Sequence, residues 1–525
     1  MASNRNHISR NRKETYRCVL VIEGFQHSLL GTRCCDDATP RNAPPILGSP
    51  LSQQLFHSRF AYTCTRHLTT NSQKPAPRPS LARDLGVGHA CAIVVGTIIG
   101  SGIFLVPAEM MQAVGSAKLV YLAWIIGGAL SFFGALTYAE LGAMKPQAGG
   151  EYVYIRDAYG PLPGFLYAWT WFLIAKPASI ATVTTGLVRI LETFPKLSFL
   201  SLQFVAWPIS VTCGQFVAIA ATLLISFLNY IGVKKAGEFQ LLFTLLKVGI
   251  ILAIVWIGFS YSAGTWSHFT APYAGAHGGI AGFVAALVAA LWAYDGWNDL
   301  TMVSEEIRRP ERSIPIALIL GVALVAALYM LLNAAVQFVL PASVIARSLH
   351  PASDAIGLVR GTGGAIVVSA AMALSMLVTL NGTIMSGARV PFAVARDRYF
   401  FSALAAVHPR FHTPSVAIAA QAVLSVILLL LGGSFRQFFS LAIFAEWLFY
   451  MIAASTVFVL RRKQPEAVRP YRVWGYPLVP ALFVAASAML LYYTFTDNLP
   501  YSLVGVLVIL AGIPVFYAFA RRRQS

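Results

Sequence analysis

Two interruptions stand inside otherwise apolar runs, and each carries groups that can bind a solute. The first is "GTIIGSGIF" at 96–104, where three glycines, a threonine and a serine crowd the centre of a greasy stretch. The second is "WAYDGWND" at 292–299, which opens on Trp292 and Ala293. Irregular backbone at membrane depth is tolerated only where it is buried in protein or lines a cavity. A break near Gly100, Ser101 and Gly102 frees N–H groups at the start of the outer half-helix. It also frees C=O groups at the end of the inner half, near Thr97 and Ile98. The N–H end carries about half a positive charge and suits a carboxylate, while the carbonyl end suits an ammonium. Glycine lets a ligand approach the backbone. Two such breaks together make a site for a zwitterion. Close helix packing explains a single membrane glycine, but it explains a cluster matched by a second break less well.

Five ionisable side chains also lie within apolar runs: Lys176, Lys247, Asp295, Asp299 and Glu446. Such residues are expensive in hydrocarbon and are functional candidates by default. Lys247 has two readings of equal standing: a carrier that loads and releases a proton, or a fixed cation that pins the broken helix to its neighbours. Lys176, followed by Pro177, is expected to pack structurally. Asp295 lies in the second break, where its carboxylate is expected to cap the next half-helix; the other reading has it facing a cationic substrate side chain. Glu446 lines the permeation path or pairs with a basic residue.

The elements that must hold these residues are membrane helices. The chain is 57% hydrophobic and 11% charged, against about 25% charged in soluble domains. Apolar stretches of about 20 residues recur at 86–107, 119–143, 164–191, 209–230, 239–259, 280–303, 314–340, 363–388, 414–432, 437–460, 477–496 and 501–520, giving an all-α protein of twelve spans. The formal charge is +18, and its distribution identifies it as a topology signal. With both termini inside, 31 of the 39 Lys and Arg fall on the inner side and 6 on the outer, which is the positive-inside bias. No nucleic-acid partner is needed to explain the basicity.

Spans 1–5 (86–259) and spans 6–10 (280–460) form two blocks of similar length. Five is odd, so the second block runs inverted relative to the first, and such repeats place substrate at the midplane where the first helix of each half is broken. The two interruptions fall in spans 1 and 6, as that arrangement requires. The core is therefore 85–460, with helices 11 and 12 and a short tail at 461–525. Residues 1–84 are rich in Arg, Ser, Thr, Asn and Pro without sustained periodicity, and read as a disordered or mis-assigned basic tail. No apolar core of a signal peptide follows Met1. The six cysteines show no metal-like spacing, and no metal or cofactor is expected.

The motif "GTIIGSGIF" resembles the first-span signature of the amino acid–polyamine–organocation superfamily. "WAYDGWNDLTMVSEEIRRPERSIPIAL" at 292–318 resembles its sixth span and following loop. "YAELGAMKPQAGGEYVYIRDAYG" (138–160), "AKPAS" (175–179) and "LNGTIMSGARV" (380–390) are similar to the L-type amino acid transporters and their prokaryotic serine/threonine-exchanger relatives. The resemblance covers about 85–520. It implies a LeuT-like 5+5 inverted repeat plus two helices. It further implies that Ser101 and Gly102 hold the substrate carboxylate, that the Ile98 carbonyl meets the amino group, and that Trp292 closes over the substrate as a gate. It places Lys247 where sodium-coupled relatives bind an ion. Animal L-type light chains pair with a glycoprotein through a cysteine between spans 3 and 4; residues 192–208 hold none, so no disulfide-linked heavy subunit is expected.

The expected protein is thus a secondary transporter of amino acids, with neutral L-amino acids as substrate and exchange as the mode, in the cell (cytoplasmic or plasma) membrane. A proton-coupled symporter, a cationic amino acid or polyamine antiporter and, more remotely, an amino-acid sensor are the alternatives. No enzyme activity is expected: the glycine motif follows no strand, and no nucleophile–base pair stands at membrane depth.

Overall fold

The computed structural model describes residues 80–205, 211–431, 435–497 and 499–524, together with three short strands of the tail at Arg17–Ile22, Phe25–Leu30 and Thr63–Cys64. The tail separates from the rest as its own unit, Met1–Arg78 against Pro79–Ser525. Apart from those strands and 80–84, the expected disordered tail lies outside the described residues.

The first apolar run is cut in two. Helix α1 (Val87–Ile98) stops short of Gly100, and α2 (Gly102–Val114) begins after Ser101. The long α3 (Ala117–Met144) leads to a short, polar α4 (Glu151–Tyr159). Helix α5 (Pro161–Thr170) widens through a π-turn at Trp171–Ala175 into α6 (Lys176–Leu191). Such wide turns shift the register of the side chains that follow, and here the next residue is Lys176. A two-stranded hairpin (Gln203–Val205 with Val211–Thr212) precedes α7 (Cys213–Tyr230), whose start carries a reciprocal Thr212–Gln215 capping box. Helix α8 (Val233–Phe259) follows.

The second interruption ends α9 (Gly279–Ala293) after 15 residues, and one turn of helix, α10 (Asp299–Met302), resumes beyond it. The expected span 280–303 is therefore not one helix: Gly296 takes φ +105, which helix cannot use. The remaining helices are α11 (Pro310–Val339), α12 (Ala342–Arg347), α13 (Pro351–Gly387, bent at Gly361), α14 (Arg389–Arg396), α15 (Ser415–Leu430), α16 (Phe435–Lys463), α17 (Leu478–Asp497) and α18 (Leu499–Gln524). Among the described residues, ten helical stretches are long and apolar enough to cross a membrane, while Gly279–Ala293 and Ser415–Leu430 are shorter apolar helices at two further expected positions. Helices α7 and α8 turn Leu223, Leu224, Phe227, Leu242, Leu245 and Trp256 outward, a surface suited to lipid and costly in water.

The two broken runs are buried and tied to each other. The Thr97 hydroxyl, at the end of α1, lies 2.9 Å from the Gly296 carbonyl and 2.6 Å from that of Ile93 in its own helix. One hydroxyl on α11, Tyr329, lies 3.0 Å from the Ile98 carbonyl and 2.8 Å from that of Ala293, so it spans the ends of α1 and α9. At the far end of α1, Leu85 exchanges backbone bonds with Glu306 and Arg308. Glu306 is locked in turn by the fully buried Arg389 guanidinium at 2.9 Å on both carboxylate oxygens, the bidentate geometry of the strongest ion pairs.

Candidate functional site

Both breaks open on one cavity. Its wall is Thr97, Ile98, Gly100, Ser101 and Gly102 from the first break, and Trp292, Ala293, Asp295, Gly296 and Asp299 from the second. Lys176, Ser179, Thr182 and Val183 of α6, Met376, Thr379 and Thr383 of α13, and Glu446 of α16 complete it. Its volume is about 100 Å³, well under the roughly 300–1,000 Å³ of drug-sized pockets, and so suited to a small solute. All eight residues expected at a substrate site from the sequence therefore share this wall. Lys247 does not.

The first break opposes two kinds of helix end. The N–H groups that open α2 have no partner within their own helix. Across the gap, the carbonyl end of α1 is heavily occupied. Lys247 Nζ donates to the carbonyls of Gly96 (3.0 Å), Ile99 (2.6 Å) and Ser375 (3.2 Å). The Ser375 hydroxyl reaches the Ile99 carbonyl at 2.8 Å, and the Thr379 hydroxyl reaches that of Gly96 at 3.1 Å. The Ile98 carbonyl accepts from the Gly100 N–H at 2.8 Å and has the Tyr329 hydroxyl 3.0 Å away, so a ligand ammonium reaching it shares the oxygen with these donors or displaces one of them. Gly102 faces the second break so closely that a Cβ there would stand 3.0 Å from Ala293 Cα and 3.6 Å from the Trp292 ring.

Four ionisable side chains converge here. Lys176 Nζ pairs with Asp299 Oδ1 at 2.6 Å and lies 4.8 Å from the centre of the Trp171 ring. The packing role expected of Lys176 is thus joined to a place on the cavity wall. Asp295 accepts from the Tyr450 hydroxyl at 2.9 Å. The cap expected of it does not form: the residue ahead of α10 is Asn298, and it makes no side-chain cap bond. The break is simply long enough to set Asp295 three residues too early, against α16. Glu446 accepts from the Ser179 hydroxyl at 2.7 Å and sits on the wall.

Apart from Lys176, the contributors from α6 and α13 carry no role in the sequence reading. A signal existed: Ser179 with Thr182, and Thr379 with Thr383, recur at helical spacing on otherwise apolar helices, so each pair shares one face. Glu151 was also missed. Fully buried at the start of α4, it accepts from Tyr138 (2.8 Å), Tyr167 (2.5 Å) and Asn298 (3.0 Å). The Tyr450 hydroxyl lies 3.2 Å from Asn298 as well, so this carboxylate is linked through the second break to Asp295.

Burial pushes the Glu151 carboxyl up from 4.5 to about 7, against the three donors and the positive charge of Lys176 that favour its ionised form. A group raised in the folded state adds stability that is fully present below its unfolded value and is lost as pH rises through the folded one. Glu151→Gln carries no such titration. The melting temperature of the wild type minus that of Glu151→Gln is therefore expected to fall as pH is raised from about 4.5 to about 7 and beyond. A difference that stays flat over this window would refute the assignment.

Comparison with known proteins gives the family of the chain. The model of the amino acid permease family matches residues 85–519. The chain is 33% identical over 451 residues to the serine/threonine exchanger SteT of Bacillus subtilis, covering 85% of this chain and 98% of that protein. It is 32% identical over 473 residues to the human b(0,+)-type amino acid transporter 1 (85% and 90%). It is 30% identical over 454 residues to the human cystine/glutamate transporter (86% and 88%).

Proposed function

The chain belongs to the amino acid permease family and is a multi-pass membrane transporter of amino acids working by exchange, and from that premise we propose how its parts do so. The paired breaks hold the substrate: Ser101 and Gly102 offer backbone N–H groups to its carboxylate, and Ile98, with Thr97 and Gly100 beside it, offers carbonyl oxygen to its ammonium. Trp292 closes over it as a gate, with Ala293 behind. The observation that carries this reading is the single cavity walled by both breaks, with the Thr97 hydroxyl of the first 2.9 Å from the Gly296 carbonyl of the second. A zwitterion is the solute whose two charges match the two opposed helix ends.

The frame proposed around the site is twelve spans, ten of them in two inverted blocks at 86–259 and 280–460, with alternating access by rocking one bundle against the other. Both termini lie inside, in the cytoplasmic or plasma membrane. The transporter works without a disulfide-linked heavy subunit. In support, no cysteine occurs between Glu192 and Thr212, and the half-buried Cys213 is already the first residue of α7.

Counterflow in proteoliposomes tests the site. Vesicles loaded with unlabelled amino acid are expected to accumulate label through the wild type, whereas a sensor binds without accumulating. Gly102→Leu drives a side chain into Ala293 and Trp292 and fills the place of the carboxylate, so exchange should fall at least about 100-fold, as losing about 3 kcal/mol of substrate binding implies. Trp292→Ala should weaken retention of bound substrate more than it lowers protein abundance. Normal exchange by a folded Gly102→Leu protein would place the carboxylate elsewhere.

A further inference from the structure

We propose that the cavity is built for an amino acid with a positively charged side chain, held between Asp295 and Glu446. The proposal rests on the site reading above and differs from the neutral side chain expected from sequence. Three carboxylates and one ammonium line the wall. The ammonium of Lys176 pairs with Asp299 at 2.6 Å, and its single charge offsets only one of the three carboxylates. Asp295 and Glu446 receive one hydroxyl each, from Tyr450 and Ser179. A hydroxyl helps to solvate a carboxylate but brings no countercharge. The nearby ammonium of Lys247 offers no relief, because its three N–H donors face three carbonyl oxygens.

A neutral zwitterion leaves this imbalance untouched, since its own charges are answered by the helix ends. Glu446 is buried and Asp295 half-buried, and a carboxylate drawn out of water without a full countercharge costs up to several kcal/mol. An ammonium or guanidinium on the substrate side chain removes part of that cost and adds charge-assisted hydrogen bonds, and the guanidinium fork has donors enough for two carboxylates. The substrates in the relatives' names include serine and threonine in one case and cystine and glutamate in another, so the family leaves the side chain open and the charges of this wall decide it.

The test is counterflow in phosphatidylcholine proteoliposomes with labelled L-lysine, L-leucine and L-glutamate, on the wild-type full chain and on Glu446→Gln and Asp295→Asn. Lysine is expected to exchange in preference to leucine, with glutamate excluded. Each variant should lower the lysine-to-leucine ratio about tenfold or more, the scale of one lost buried charge pair; Glu446→Asp should recover part of it. Gel filtration confirms that the variants fold, and the wild-type preference is decisive without them. Exchange of leucine with no competition from lysine overturns the proposal and leaves the zwitterion site standing. Leucine uptake driven by an imposed pH gradient overturns it too, because the missing positive charge is then a proton. Absence of exchange with any amino acid removes the site reading, and the proposal with it.

Discussion

Lys176→Met is expected to abolish exchange and to destabilise the protein by about 3–5 kcal/mol, the usual cost of removing one partner from a buried ion pair. The pair is deep, with 6% and 2% of the two side chains exposed. Its loss leaves Asp299 without a countercharge beside Asp295 and Glu446, on a wall that then has three carboxylates and no ammonium. The double variant Lys176→Met/Asp299→Asn removes both charges and should regain much of the stability, since replacing a whole buried pair is far gentler than breaking it. Melting of the detergent-solubilised variants measures this. A single variant that melts with the wild type, or a double variant that melts no higher than the single, would show that the pair contributes little to the fold.

That pairing marks where sequence reasoning ran out. Both partners were visible as charges in apolar runs, but they stand 123 positions apart, and only the packing of α6 against the second break brings them together. The π-turn ahead of Lys176 has no local signature in the residues Trp171–Ala175, which read as ordinary apolar helix. The breaks themselves were legible because they rest on local chemistry: clustered glycines and polar residues cannot continue an apolar helix without a reason. The first was located to within a residue, at Ile99–Ser101. Asp295 shows the limit of that method. A carboxylate in a break is a natural cap, yet what it bonds is set by Tyr450, which approaches from α16.

The same division runs through the polar wall. Thr379 and Thr383 share a face of α13 by spacing alone, but the reason for that face is the carbonyl end of α1, which only the fold delivers to it. Glu151 gave no sign of its role, because a glutamate at the start of a short polar helix is usually a solvated residue on a favourable dipole. Three donors from three separate elements make it instead a buried node beneath the second break.

Lys247→Met is expected to inactivate transport at every pH, with no selective loss of pH-driven uptake. Sequence reasoning left this residue balanced between a proton carrier and a fixed cation. Three carbonyl oxygens surround Nζ at 2.6 to 3.2 Å, and an ammonium has three N–H donors to meet them. A neutral amine has two donors and a lone pair, so releasing the proton turns that lone pair toward one of the three carbonyls and leaves the Gly96 and Ile99 oxygens competing with that of Ser375 for two donors. Those oxygens close α1 at the break. Losing the ammonium therefore loosens the segment that faces the ligand, at any pH and with any driving gradient. Lys247→Arg keeps the charge, but its planar fork does not fit three converging acceptors, and it should recover little. Proteoliposomes with an imposed pH gradient read the difference. Wild-type uptake is expected to follow internal amino acid and to ignore the gradient. Uptake that follows the gradient in the wild type, and is lost in a Lys247→Met protein that still exchanges, would make Lys247 the proton carrier after all.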